Sequence, residues 1–254
     1  MTASLLSLPR ELRDQIYKYV LISTTGFIEP REQGRREKSS SSANSTHRFV
    51  LFHYETYTET AGELCKSKSF SISLLRTCRQ IHAETKDLFW QNNTFVFSSP
   101  ILLTKSLKTM GQISSRLITR IHLLLDYVAC RCEGRTKALA KALRLLASRA
   151  RHGSFKQLAL HIDASDIRRL SRLRETWVEE EQQLYDDFLE TLRNGSASCK
   201  FQRSFEVTDR GGLGVTVLRL WKPTLKELNF AWGGTFAWNG IVLLEDYDEV
   251  SGQL

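Results

Sequence analysis

At 254 residues, with 41 % apolar and 25 % charged side chains, the chain has the composition of a folded protein whose core needs neither disulfides nor metals. No window approaches the roughly 18–20 uninterrupted apolar residues of a membrane span, and Arg10, Glu11 and Arg13 stand where a signal peptide needs an apolar run, so a cytoplasmic or nuclear setting without a membrane partner is expected. The net charge of +8 is uneven: residues 131–174 hold twelve Lys or Arg against three acids, and residues 175–190 hold seven acids and no base.

Pro9 suits a first helical position, where its missing N–H costs nothing. Leu12, Ile16, Tyr19 and Val20 follow at helical spacing, with Leu5 and Leu8 ahead of them, so a helix is predicted that Gly26 and Pro30 bring to an end. Residues 31–48, basic, Ser-rich and nearly free of apolar side chains, read as a disordered loop. Residues 49–58 alternate as a strand does. Ser71 is placed to cap a second helix with the stripe Leu74, Leu75, Cys78, Ile81, Thr85, Leu88 and Phe89. Asn92-Asn93 is expected to stop it, because Asn tolerates the left-handed conformation. Residues 94–97 form a short strand, and Ser99-Pro100 opens a third helix toward Met110.

Farther on, a strand is predicted over 117–125, and then a helix over 135–150. That helix turns Leu139, Ala142, Leu143, Leu146 and Ala150 inward and closes at Gly153. A strand over 155–162 precedes one long helix, 166–193, stopped by Asn194-Gly195 and buried through Ile167, Leu170, Leu173, Trp177, Leu184, Phe188 and Leu192. Four more strands are read over 201–207, 215–220, 225–230 and 236–244, joined by Gly-rich turns. Strands alternating with helical crossovers predict an α+β or α/β fold with some strands parallel. Segments starting at Ile118, Phe155 and Leu225 share the pattern apolar-x-x-apolar-x-apolar. Two readings stay open, an irregular leucine-rich-type repeat and the pattern of any buried strand.

Two stretches carry a family likeness. Leu8, Pro9, Glu11, Leu12 and Ile16 fit a Leu-Pro-x-Glu-Leu-x-x-x-Ile helix start. Leu75, Cys78, Arg79, Leu88 and Trp90 fit the Leu-x-x-Cys-Arg and final Leu-x-Trp shape that closes the same module. Together they resemble an F-box of the fungal F-box-like proteins, here interrupted by residues 24–70, and the likeness extends through the Leu-Phe-Trp-x-x-Asn-Thr-Phe-x-Phe stretch ending at Phe97. The resemblance implies an F-box-like helical module over 1–97 and an α/β client-recognition region over 98–254. It further implies binding to the small Skp-type adaptor of a cullin ubiquitin ligase through Leu5, Leu6, Leu8, Pro9, Leu12, Ile16 and Val20, with a client protein of unknown identity. On the residues alone, the same stripe is equally the inner face of the first helix, packed on residues 72–90.

Nothing else in the chain carries recognisable chemistry. There is no GxSxG and no phosphate loop, and Gly211-Gly212-Leu213-Gly214 precedes a predicted strand, as a hairpin turn would. His47, His53, His82, His122, His152 and His161 include no HxxxH pair; His82 is expected at the surface, and His122 and His161 on strands beside partners that satisfy them. Cys65, Cys78, Cys130, Cys132 and Cys199 include no CxxC and are expected to be reduced and mostly buried. No catalytic residue, metal or cofactor is therefore predicted, and the chain reads as a non-enzyme. A second functional reading is a nucleic-acid or acidic-partner binder using a basic patch of Arg144, Arg149, Arg151, Lys156, Arg168, Arg169, Arg172 and Arg174. It draws on the long helix, whose basic first half and acidic second half oppose the macrodipole.

Overall fold

A computed structural model of the chain describes residues 4–32, 49–57, 64–70, 72–126, 132–174, 176–197, 200–208, 215–238 and 241–243. Its helices are α1 (Arg10–Leu21), α2 (Arg79–Asn92), α3 (Pro100–Thr109), α4 (Gly111–Leu117), α5 (Glu133–His152), α6 (Ala164–Arg174), α7 (Glu179–Ala197) and α8 (Val215–Trp232). Its strands are β1 (Phe27–Glu32), β2 (Phe49–Tyr57), β3 (Leu64–Phe70), β4 (Thr94–Phe97), β5 (Arg120–Leu125), β6 (Gln157–Asp163), β7 (Gln202–Thr208), β8 (Thr235–Trp238) and β9 (Ile241–Leu243). The strands join in one mixed sheet of order β3-β2-β1-β4-β5-β6-β7-β8-β9. The run from β1 to β8 is parallel, and antiparallel partners close both edges. This is the expected α/β class. No helix among the described residues is long and apolar enough to cross a membrane.

From β4 to β7 each strand is followed by one or two helices, and the next strand always takes the adjacent place in the sheet. Steps in one direction, each with the right-handed crossover that twisted strands demand, stack the helices on the same face. They form a continuous layer, with α1 on α2, α2 on α4, α3 and α4 on α5, α5 on α7, and α6 and α7 on α8. Alternate strand positions supply the core beneath it: Phe95, Phe97, Ile121, Leu123, Leu125, Leu158, Leu160, Ile162, Phe205 and Val207 are all buried. The register places Thr94, Val96, Arg120, His122, Leu124, Ala159, His161, Ser204 and Glu206 on the other face.

Residues 24–70, read from sequence as an interruption, extend the sheet. β1 lies parallel to β4 and antiparallel to β2, and β2 pairs with β3. Pro30 therefore sits inside a strand and does not end a helix. The predicted disordered loop at 31–48 begins in β1 with Arg31 and Glu32, and its remainder lies outside the described residues. The sheet runs on through the boundary expected after residue 97, since β4 pairs with both β1 and β5.

Asn93 is the joint of this arrangement. It is fully buried. Its Nδ2 donates to the carbonyl oxygens of Leu21 and Phe89, both at 2.8 Å, and its Oδ1 accepts from the Ser23 N–H at 2.8 Å. The ends of α1 and α2 are thereby tied to each other where β4 begins. Next to it the Thr94 N–H donates to the Gly26 carbonyl at 2.7 Å, and Gly26 makes the turn with a φ of 75° that favours glycine. Asn93 itself is extended, with φ −101° and ψ 148°. It ends the helix through its side chain, and the left-handed backbone expected of it is not used. The Trp90 ring stacks on Phe95 while Phe89 meets both edge-on, fastening α2 to β4.

Several other expectations are corrected. Pro9 is the N-cap of α1 rather than its first residue, with φ −53° and ψ 149°. α2 begins after Cys78, behind a 3-10 turn at Ser73–Arg76, and Ser71, the expected cap, lies outside the described residues. α4 occupies part of the segment read as a strand over 117–125 and the residues before it. Segments 215–220 and 225–230 are not strands but the helix α8, which buries Leu225, Leu228 and Trp232 at helical spacing. Arg203 Nη1 donates to the Trp232 carbonyl at 2.8 Å, and Trp232 Nε1 donates to the Ser204 carbonyl at 3.1 Å, holding its end on β7. Because the third copy of the apolar pattern is helical, the pattern marks no repeat.

The long helix expected over 166–193 is two. α6 carries Asp166 in its first turn and ends with Arg172 and Arg174, while α7 opens with Glu179, Glu180 and Glu181. Each helix therefore has its charges on the side its dipole favours, and the supposed conflict disappears. The turn between them shifts the helical phase, so α7 buries Tyr185, Phe188, Leu189 and Leu192. Asp163, not Asp166, caps α6, its Oδ1 accepting from the Ser165 N–H at 2.8 Å. Gly195 lies within α7 instead of stopping it, and a side chain there would run into Leu143 of α5.

Asn93→Ala should lower unfolding stability by about 2–4 kcal/mol, because three hydrogen bonds go and the buried Ser23 amide is left unmatched. Urea denaturation read by circular dichroism measures this.

Candidate functional site

α1 is attached by its polar side. Arg10, Arg13, Tyr17 and Leu21 recur every three to four residues, and this is the face turned to α2. Arg10, Arg13 and Tyr17 converge on Glu84 of α2, whose side chain is only 9 % exposed. Arg13 Nε and Nη2 donate to its carboxylate at 3.2 and 3.0 Å, the Tyr17 hydroxyl at 2.8 Å, Gln80 Nε2 at 3.1 Å, and Arg10 Nη1 lies at 3.1 Å. Arg13 Nη1 also donates to the Leu8 and Leu6 carbonyls at 2.7 and 3.3 Å, fixing the 3-10 turn Leu5–Ser7 ahead of α1. The hydrogen bonds from Arg13, then Tyr17, hold the Glu84 carboxyl at about 2. Burial, and next the bond to Glu84, push the Tyr17 hydroxyl up.

With that face used, the apolar stripe points outward: Leu12 is 45 %, Ile16 36 %, Tyr19 87 % and Val20 41 % exposed. Pro9 is exposed, Leu8 is half-buried, and Leu5 and Leu6 lean on the core. Leu12, Ile16 and Val20 are therefore not the inner face of the helix, whereas Leu5 and Leu6, ahead of it, are turned inward. In the second segment Leu75 and Trp90 are buried, Leu88 packs against the core, and Arg79 is exposed. Cys78 is also exposed and caps α2, its Sγ accepting from the Ile81 N–H at 3.5 Å. Cys132, just ahead of α5, is exposed too. Burial was expected of both, but each stands at a helix start outside the apolar stripe; the side chains of Cys65, Cys130 and Cys199 lie outside the described residues. His82 is a surface residue as expected, its Nδ1 at 2.9 Å from the Leu75 carbonyl.

A second cluster lies on the sheet face away from the helices. His161 on β6 is directly opposite Glu206 on β7, and His122 on β5 is the diagonal neighbour. His161 Nε2 is 2.9 Å from His122 Nδ1 and 2.7 Å from a Glu206 carboxylate oxygen. Ser204 Oγ donates to the other oxygen at 3.4 Å, and the Phe27 ring stands 5.2 Å from that of His122. The ligand atoms of the three residues lie within 4.8 Å of one another. Burial, then the neighbouring His161, brings His122 down to about 4. Burial pushes the Glu206 carboxyl up, but the hydrogen bond and charge of His161 outweigh it and the net displacement is downward. The two histidines do satisfy each other, yet the third partner was missed. No spacing along the chain signals it, since the three residues lie on three different strands.

The residues of the predicted basic patch come from more than one element. Arg144, Arg149 and Arg151 belong to α5 and Lys156 to the turn before β6, whereas Arg168, Arg169 and Arg172 belong to α6. The side chain of Arg174 lies outside the described residues. α5 packs chiefly on α3, α4 and α7, and α6 on β6 and α8.

The model of a family described as a domain of unknown function (DUF7730) matches residues 1–202, taking in both α1 and α2 and the strands between them. No curated protein and no solved structure matches the chain.

Since its carboxyl is held at about 2 against an ordinary 4.5, Glu84 stabilises the fold above the ordinary carboxylate range, and that contribution is lost as pH falls toward 2. Glu84→Gln should lower Tm at pH 7 and flatten the decline of Tm between about pH 5 and pH 2.5, which thermal scans across that range would register.

Proposed function

We propose that this chain, which belongs to the DUF7730 family, is a non-enzymatic docking protein whose outward face of α1 binds the Skp-type adaptor of a cullin ubiquitin ligase. The observation that carries this reading is the inverted attachment of α1. A surface helix normally buries its apolar stripe. Here charge and hydrogen bonding hold the helix, and Leu12, Ile16, Tyr19 and Val20 are left as one exposed apolar face. Such a face on a well-anchored helix is a candidate for a partner's groove. The resemblance of Leu8, Pro9, Glu11, Leu12 and Ile16 to an F-box start selects the partner. Pro9, Leu12, Ile16 and Val20 form the contact, with Leu8 at its border and Tyr19 added to it; Leu5 and Leu6 act from behind by positioning the turn. The region from α3 onward then serves to recognise a client.

The reading is tested by titrating the purified chain against purified Skp-type adaptor. Ile16→Asp should weaken binding by about 30-fold or more, the scale of a central interface residue, and should leave the circular dichroism and Tm nearly unchanged, since Ile16 contributes little to the core. Binding should vary little between low and high salt, because the contact is apolar. An undetectable complex with the wild-type chain rejects the proposal.

A further inference from the structure

We propose that His122, His161 and Glu206 form a binding site for a divalent transition-metal ion of the zinc type on the face of the sheet opposite the helices. This is independent of the docking role of α1. Spacing along the chain could not suggest it, because the residues come one each from β5, β6 and β7, and the parallel register brings them together.

Two imidazoles and a carboxylate are a recognised donor set for zinc and for related ions that accept nitrogen ligands, and a poor one for magnesium or calcium. His161 Nε2 already lies 2.9 Å from His122 Nδ1 and 2.7 Å from Glu206 Oε2. Donors at about 2.0–2.1 Å from a tetrahedral zinc stand about 3.3 Å apart, so a metal needs His161 to draw back from each partner by roughly half an ångström while the three ligand atoms, all within 4.8 Å of one another, close around it, within the reach of small χ rotations. A cation set between them can engage all three groups at once. Surrounding contacts hold the donors in position: Ser204 Oγ bonds the carboxylate oxygen that faces away from His161, Phe27 flanks the His122 ring, and the small Ala159 is the register partner of His122 on β6. Outer contacts of this kind orient metal ligands. His161 and Glu206 keep 13 % and 21 % of their side-chain surface exposed, so solvent reaches the site and can supply the remaining coordination position.

The untagged full chain, stripped with chelator, is titrated with Zn2+ by calorimetry and with Co2+ by visible absorption. The expected result is one Zn2+ per chain, d–d bands of a four- or five-coordinate Co2+ site displaced by Zn2+, and a Tm raised by the metal. His161→Ala and the near-isosteric Glu206→Gln should each weaken binding by more than the roughly 10–100-fold that loss of an outer contact costs. Glu206→Gln keeps size and shape, so it remains a test if His161→Ala fails to fold. Absence of stoichiometric binding, or equal affinity in the wild type and a folded variant, overturns the proposal.

Discussion

The fold depends on one buried amide. Asn93 uses both of its donor hydrogens and its acceptor on the backbone of three different places: the end of α1, the residue two beyond that end, and the last turn of α2. Without it, two helix termini would meet in the core with unmatched carbonyls, and a buried orphan group is expensive. With it, two segments seventy residues apart share a corner. β1 and β4 leave that corner side by side, and every later strand is laid down next to its predecessor.

The attachment of α1 follows the same logic of polar groups satisfied indoors. The carboxylate of Glu84 has two arginines, a tyrosine and a glutamine around it, so the interface between α1 and α2 is polar at its centre and apolar only at Leu21 and its surroundings. An interface of this type fixes orientation more sharply than an oily one, because hydrogen bonds are directional and a rotated helix would leave charges unpaired. The orientation so fixed is what exposes the apolar stripe. The unusual surface of α1 and the unusual interior beneath it are one feature seen from two sides.

Much of the fold was legible where local patterns had a single solution. Residues 94–97 and 120–125 are short with an apolar side chain at alternate positions, α5 is long and strongly periodic, and Ser99 and Gly153 stand at the start of α3 and the end of α5 as their chemistry suggests. The failures occur where two patterns share residues. Leu225, Leu228 and Phe230 fit both a strand template and part of a helical one, and the preceding glycines favoured the wrong choice. In 166–193 the apolar spacing reads almost smoothly across a break that only the reversed charge pattern betrays; arginines followed by glutamates mark one helix ending and another beginning. Of the sites, the α1 stripe was visible as a stripe, but whether it faced in or out was decided by Glu84, sixty-eight residues beyond Ile16. The His122–His161–Glu206 cluster was beyond reach altogether, since it exists only once the parallel register is known.

The excursion between α1 and α2 leaves and re-enters the molecule through strands locked in register, β1 against β4 and β2 against β3. The distance between the ends of the connection from Glu32 to Phe49, which are themselves paired, is set by the sheet and not by the residues that join them. Lengthening that connection costs only closure entropy, about 0.6 kcal/mol per doubling. A longer or shorter connection there would leave the corner at Asn93 and the outward face of α1 undisturbed.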